Sequence, residues 1–296
     1  MTSQPSLITS DDEKARLLLM ATIEGNSKYW SKEVSTYGAP EVVDRLRKNS
    51  YSTGIHSGEK ISARLQKISS EEVIDNLQDS FLLTPSSLDW PSQLDDLPAP
   101  PFGLIGLGER EILPTLSRAI GIVGTRNPTH YGSRIASEFA ASLCDRGWAI
   151  ASGGAFGIDS AAHRGALAVE GETVAILGGG VRSIFPSGND RLFTEIATHG
   201  LLLSEVLPTV PAVPHRFLIR NRLIAALSRG LLVVEAAHRS GSLRTARDAA
   251  ELMRPVMAIP GPINTPTSEG CHRLINERKA ELVSSVEEIV GLVSPL

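Results

Sequence analysis

The chain has 296 residues, enough for one large domain or a core domain with a smaller appendage. With 42% hydrophobic and 21% charged residues it is not a disordered chain, no run of about 18 apolar residues marks a transmembrane helix, and two cysteines exclude a disulfide framework. The net charge of −4 hides a division: residues 1–100 hold 10 Lys and Arg against 15 Asp and Glu, whereas residues 101–296 hold 19 against 18, every cation there but Lys279 being arginine.

The opening, MTSQPSLITSDDEK, has neither a basic start nor an apolar stretch, so no secretory signal is read and a cytoplasmic location is expected. Apolar residues then recur at helical spacing around Ala15–Leu19, Val42–Leu46 and Val73–Leu77. Asp11 or Asp12 and Ser69 or Ser70 are the expected N-caps, and YSTGIHSGEK (51–60) reads as a polar loop. Residues 1–78 thus predict a small helical domain without visible chemistry. Phe81–Thr84 predicts a short strand, and the run Gly103–Leu107, inside a Pro- and Gly-rich stretch, a strand on the edge of the second domain.

From residue 119 a βα rhythm sets in. Strands near 119–124, 148–152, 173–177, 200–205, 230–236 and 255–261 alternate with helices near 131–147, 158–171, 188–199, 215–228 and 242–252. Strands apolar throughout, alternating with helices, predict a mostly parallel sheet covered on both faces, so residues 79–296 read as a Rossmann-like, doubly wound α/β core ending in a C-terminal helix.

Ligands of such a sheet bind at the carboxyl ends of its strands. Those ends read Gly124-Thr125-Arg126, Ser152-Gly153-Gly154, Gly178-Gly179-Gly180, Ser204-Glu205, Glu235-Ala236 and Pro260-Gly261. Three glycine-rich turns opening toward helix N-termini, with arginines beside two of them, point to phosphate. Neither G-x-G-x-x-G after the first strand nor a G-x-x-x-x-G-K-[ST] loop occurs, so no nucleotide cofactor is expected. Arg126, Arg182 and the pair Arg220 and Arg222 around Asn221 are spread over several loops, as suits a polyanion, with Phe185 placed to stack on a base. Ser240-Gly241-Ser242 offers hydroxyls and backbone donors at another helix start.

Catalytic signals are weak. Ser152, Asp159 and His163 lie close in sequence without a nucleophile elbow, and the expectation is a helix-capping Asp159 beside an exposed His163. Glu205 and Glu235 end strands where an active site could sit; pairing with a rim arginine is the preferred alternative. The histidines and cysteines have no metal-ligand spacing, so no metal is expected.

The ordered set GIVGTRNPTHYG, SGGAFGIDSAAHRGAL, TVAILGGGV…FPSGN, GLLLSE, RFLIRNRLIAAL, VVEAAHRSGSLRTARDA and AIPGP…EGCHRLI resembles the DNA-processing protein A family (DprA, also called Smf) over about residues 81–276. The resemblance implies a non-enzymatic Rossmann-like protein that binds single-stranded DNA, forms a homodimer and helps load the RecA recombinase in natural transformation. It implies DNA contacts at Arg126; at Ser152, Gly153 and Gly154; at Arg182 and Phe185; at Arg220, Asn221 and Arg222; and at Ser240, Gly241 and Ser242. HRFLIRNR stands where the family usually has Phe-Pro ahead of RNR, and NERKAELV where a Gly-Ala pair usually follows CHRLI. Ending at Leu296, the chain is expected to lack the winged helix that many members carry. The alternative is a nucleoside-monophosphate phosphoribohydrolase, but its P-G-G-x-G-T-x-x-E signature reads SGSLRTARD here, with Asp248 in place of the Glu.

Overall fold

In the computed structural model, which describes residues 8, 10–51 and 56–294, regular structure starts with a reciprocal cap. The Ser10 hydroxyl accepts from the Glu13 amide while the Glu13 carboxylate accepts from the Ser10 amide. The cap expected at Asp11 or Asp12 therefore falls on Ser10, the residue three before the glutamate. Asp11 and Asp12 instead fill the first turn, where negative charge complements the helix dipole. Five helices make up this region: α1 (Asp11–Thr22), α2 (Lys28–Tyr37), α3 (Ala39–Arg47), α4 (Gly58–Leu65) and α5 (Ser70–Asp75), the last closed by the same kind of box between Ser69 and Glu72. The reading of the chain's first residues lies largely outside the described residues, as does that of the expected loop at 52–55. The end of that loop corrects the reading, because Gly58–Lys60 are the first turn of α4.

The core comprises β1 (Phe81–Leu83), β2 (Leu104–Gly108), β3 (Ala119–Val123), α6 (His130–Cys144), β4 (Ala149–Ser152), α7 (Ile158–Leu167), β5 (Thr173–Leu177), α8 (Asp190–His199) and β6 (Leu201–Ser204). It continues through α9 (Pro214–Leu227), β7 (Gly230–Val233), α10 (Ser242–Glu251), β8 (Val256–Ala258), α11 (Glu269–Asn276), β9 (Glu281–Leu282) and α12 (Val286–Val293). The strands form one sheet in the order β1-β2-β6-β5-β4-β3-β7-β8-β9, parallel from β6 to β9, with β2 antiparallel to both its neighbours. The predicted α/β class, with its doubly wound, mostly parallel sheet and preceding helices, is what the chain adopts.

Period-two alternation assigns the faces. Val174 and Ile176 of β5 pack with Leu223 and Leu227 of α9, while Ala175 and Leu177 turn to the face carrying α8 and the N-terminal helices. One apolar cluster runs from Leu19, Trp30 and Leu46 to Ile105 and Leu202, so the first five helices form a layer on the β1–β5 side of the sheet. Ile120 and Ile122 of β3 pack with Ala136 and Ala140 of α6 and Ala162 of α7. From β3 the chain winds one way through β4, β5 and β6, then returns to place β7 on the other side of β3. The carboxyl ends of β3 and β7 therefore diverge at a topological switch point, where a crevice opens.

Candidate nucleic-acid interface

That crevice is a cleft of about 330 Å³. The turn after β3 brings Arg126, α9 brings Phe217, Arg220 and Asn221, and the turn before α10 brings Ser240, Gly241 and Ser242. Residues three and four apart share a helix face, so Phe217 stands beside Arg220 and Asn221. The positive end of α10 opens at Ser242, and nothing lies within 4 Å of where a Gly241 side chain would begin, leaving backbone open to close approach.

Arg126 is exposed, its guanidinium carbon 5.8 Å from the centre of the Phe217 ring. That ring lies 5.5 Å from the ring of Phe185, tilted by 49°, and Phe185 is 51% exposed. Cation, aromatic, aromatic thus succeed one another along the rim. Phe217 lines the cleft although no motif singles it out; its signal in the sequence is the helical spacing from Arg220.

Arg220 is buried, donating to the Ile176 carbonyl at the end of β5, and its guanidinium fills the space above Gly153 that any side chain there would need. Burial brings its pKa down to about 10, with the Asp159 carboxylate opposing and the like charge of Arg126 adding. It therefore keeps its charge at neutral pH. Burial pushes the Asp159 carboxyl upward, against Arg220 and the amides of Ala155 and Gly153, which donate to it at 3.4 and 3.2 Å. The Arg220 guanidinium and the amides of Gly153 and Ala155 thus converge on one buried carboxylate.

The glycine turns do less at phosphates than their sequence promises. The Ser152 hydroxyl is buried and donates to the Ile122 carbonyl at 2.6 Å, and the Gly153 amide is taken by Asp159. Gly154, at φ +68°, gives its carbonyl to Asn189. These residues shape the cleft and seat Arg220. The expectation that Gly178-Gly179-Gly180 forms a phosphate turn is overturned. A Cβ on Gly178 would lie 2.7 Å from the Phe217 ring, Gly179 lies against the backbone of Ala212, and the Gly180 amide donates to the Val210 carbonyl at 2.8 Å. The triple glycine exists for close packing of the 207–212 loop and of Phe217.

Other residues move away from the rim. Arg222 points into the interior, donating to the Ala99 carbonyl at 2.9 Å and to Glu205 at 2.5 Å. This corrects its placement on the rim while bearing out an arginine partner for Glu205, whose carboxyl burial raises and Arg222 holds down. Among the described residues no arginine pairs with Glu235; it accepts from the Thr129 amide and hydroxyl at 2.9 and 2.6 Å, capping the start of α6. Arg182 lies outside the cleft, its guanidinium paired with Asp79. His163, expected to be exposed, is fully buried with Nδ1 2.8 Å from the Thr173 hydroxyl, because its helix face looks onto β4 and β5. Among the described residues no cluster of His, Cys, Asp or Glu could hold a metal ion, and no helix is long and apolar enough to cross a membrane.

Residues 81–294 match the family model described as DNA recombination-mediator protein A. DNA processing protein DprA of Bacillus subtilis is 39% identical over 204 residues, covering 69% of this chain and 68% of that protein. The crystal structure of DNA processing protein A from Streptococcus pneumoniae superposes with a TM-score of 0.82 over 97% of this chain and 99% of that one, at 29% identity. A structure of the Helicobacter pylori protein, solved for its single-stranded DNA binding mode, matches 71% of this chain and 94% of that one with a TM-score of 0.64 at 30% identity.

Proposed function

The chain belongs to the DNA recombination-mediator protein A family, and from that premise we propose that its switch-point cleft binds single-stranded DNA, holding phosphates and bases together. The observation that carries this reading is the series Arg126, Phe217, Phe185 beside Arg220 and the N-terminal end of α10. Guanidiniums and a helix terminus take phosphate, and exposed rings take bases that are not already paired and stacked. In a duplex the base faces are covered. Arg126, Arg220, Asn221, Phe185 and the 240–242 turn make the contacts in this reading, while Ser152, Gly153 and Gly154 hold the cleft in shape. Arg182 joins only when it leaves Asp79. The single-strand binding of the H. pylori relative supports the assignment.

The protein acts here as a binder and not as an enzyme. Asp159, Glu205 and Glu235 are occupied by backbone amides, Arg222 and the cap of α6. In the cell it protects incoming single strands and helps load RecA in natural transformation, as a cytoplasmic homodimer; family membership supports this part. The helices of residues 1–78 serve as an accessory domain to the binding core of 79–296.

Fluorescence-anisotropy titrations with oligo-dT and with duplex of equal length, across several salt concentrations, test the reading. Tighter binding of the single strand, falling linearly in log–log with salt, is expected. Equal affinity for both would defeat it. Incubation with nucleoside monophosphates should release no free base; turnover abolished by Glu235→Gln would establish an enzyme instead.

A further inference from the structure

Of the seven phenylalanines in the chain, two are exposed, Phe156 at 46% and Phe185 at 51%. Both stand on loops at the carboxyl end of the sheet, after β4 and after β5. We infer that Phe156 is a further base-stacking platform for an unpaired strand, extending the site beyond Phe185 by at least one nucleotide. The inference rests on the reading of the cleft as a single-strand site.

The loop that displays Phe156 is built to hold still. Gly154 and Gly157, at φ +68° and +83°, reverse the chain on either side of it. Asp159 accepts from the Gly153 and Ala155 amides, fixing the residues just before it. Buried Asn189, from the loop after β5, donates to the Gly154 carbonyl at 3.0 Å and to the Ser160 hydroxyl at 2.8 Å, locking the two loops together. The Phe156 ring lies against Gly188, where a Cβ would come within 2.8 Å of Cζ. One side of the ring thus meets bare backbone while much of the rest faces solvent, and Phe185 is three residues before that glycine.

Charge selects the occupant. The Ile158 amide donates to the Thr125 carbonyl at 3.2 Å, so the loop abuts the turn that carries Arg126. Two exposed rings on locked loops next to a cation suit a chain that presents aromatic faces and anionic links in alternation. An apolar protein segment would leave the neighbouring guanidinium without a partner.

Phe156→Ala, Phe156→Leu and Phe156→Trp would be titrated with oligo-dT and with an abasic oligomer of equal length, after circular dichroism and thermal melting confirm folding. Phe156→Ala should weaken oligo-dT binding by roughly five- to a hundredfold. Leucine should rescue little and tryptophan fully, and the salt slope should not change, because no cation is lost. On the abasic strand the variants should bind like wild type. Photocross-linking of wild type to 5-iododeoxyuridine oligomers should label Phe156. If wild type binds oligo-dT and Phe156→Ala matches it, or if the loss is equal on the abasic strand, the platform is wrong while the single-strand reading stands. If wild type does not bind oligo-dT, both fall.

Discussion

Arg126 stands against an aromatic ring, and among the described residues no carboxylate lies within ion-pair distance of it. A cation so placed is available to phosphate, and a charge-assisted contact is worth about 1.5–3 kcal/mol. Arg126→Ala should therefore weaken oligo-dT binding about ten- to a hundredfold and flatten the salt dependence by roughly 0.7 per phosphate lost. Arg278→Ala, on the exposed turn after α11, serves as the control and should bind like wild type. Phe217→Ala should weaken binding with the salt slope unchanged; a slope that falls as for Arg126→Ala would show that the ring acts only by holding the guanidinium. His163 makes a different prediction. Burial, with the nearby charge of Arg220, lowers its pKa from about 6.5 to about 3. A folded pKa below the unfolded one means stability that is present above pH 6.5 and lost as pH falls toward 3. Between pH 7 and pH 5 the loss should be roughly 1–2 kcal/mol. Asp159 and Glu205, raised by burial, act with the opposite sign. The measurement is therefore the difference between wild type and His163→Gln in urea denaturation at the two pH values, the variant losing less.

At the scale of the element, α9 does two jobs with one arginine-rich turn. Phe217, Arg220 and Asn221 look into the cleft, while Arg222, one residue on, is rotated away and pairs with Glu205 inside the protein. Truncating one member of a buried pair strands the other charge, at a cost of about 3–5 kcal/mol. Arg222→Met should thus lower the thermal midpoint strongly, and Arg222→Met with Glu205→Leu should recover much of it. An arginine that only touched DNA would leave the midpoint of the free protein unchanged. The same helix explains the glycine at 178, which leaves room for the Phe217 ring at the rim.

Over the whole molecule, the division of charge acquires a location. The acidic first third sets carboxylates against four arginines of the core: Asp79 on Arg182, Asp89 on Arg110, Asp96 on Arg254, and Glu24 on Arg216 at 2.7 and 3.1 Å. If the strand runs past Arg182 as in the proposed reading, the Asp79 carboxylate competes with phosphate for that guanidinium. Asp79 is exposed, so its pair contributes under about 1 kcal/mol to stability, and removing it should cost the fold little. Asp79→Asn should leave the thermal midpoint nearly unchanged, strengthen oligo-dT binding about two- to fivefold and steepen its salt dependence. An unchanged affinity would mean that Arg182 lies off the path of the strand.

The sequence by itself determined the α/β class, the run of parallel strands, the family and the presence of Arg126, Arg220, Asn221 and the 240–242 turn at one end of the sheet. These rest on short-range facts: apolar periodicity, strand ends, and the rule that such ends bind ligands. Direction within the site needed the tertiary structure. Arg220 and Arg222 are nearly identical in sequence terms, yet helical rotation sends one to the cleft and the other to a buried carboxylate. Three consecutive glycines read as an anion turn until the 207–212 loop is seen to cover them. His163 is neutral and hidden because strands twenty residues apart close over it, and Phe156 stays exposed because Asn189 locks its loop from thirty-odd residues away. Which donors are already spent, and which rings are left in water, depends on contacts between segments distant in the chain, and those exist only once the sheet has assembled.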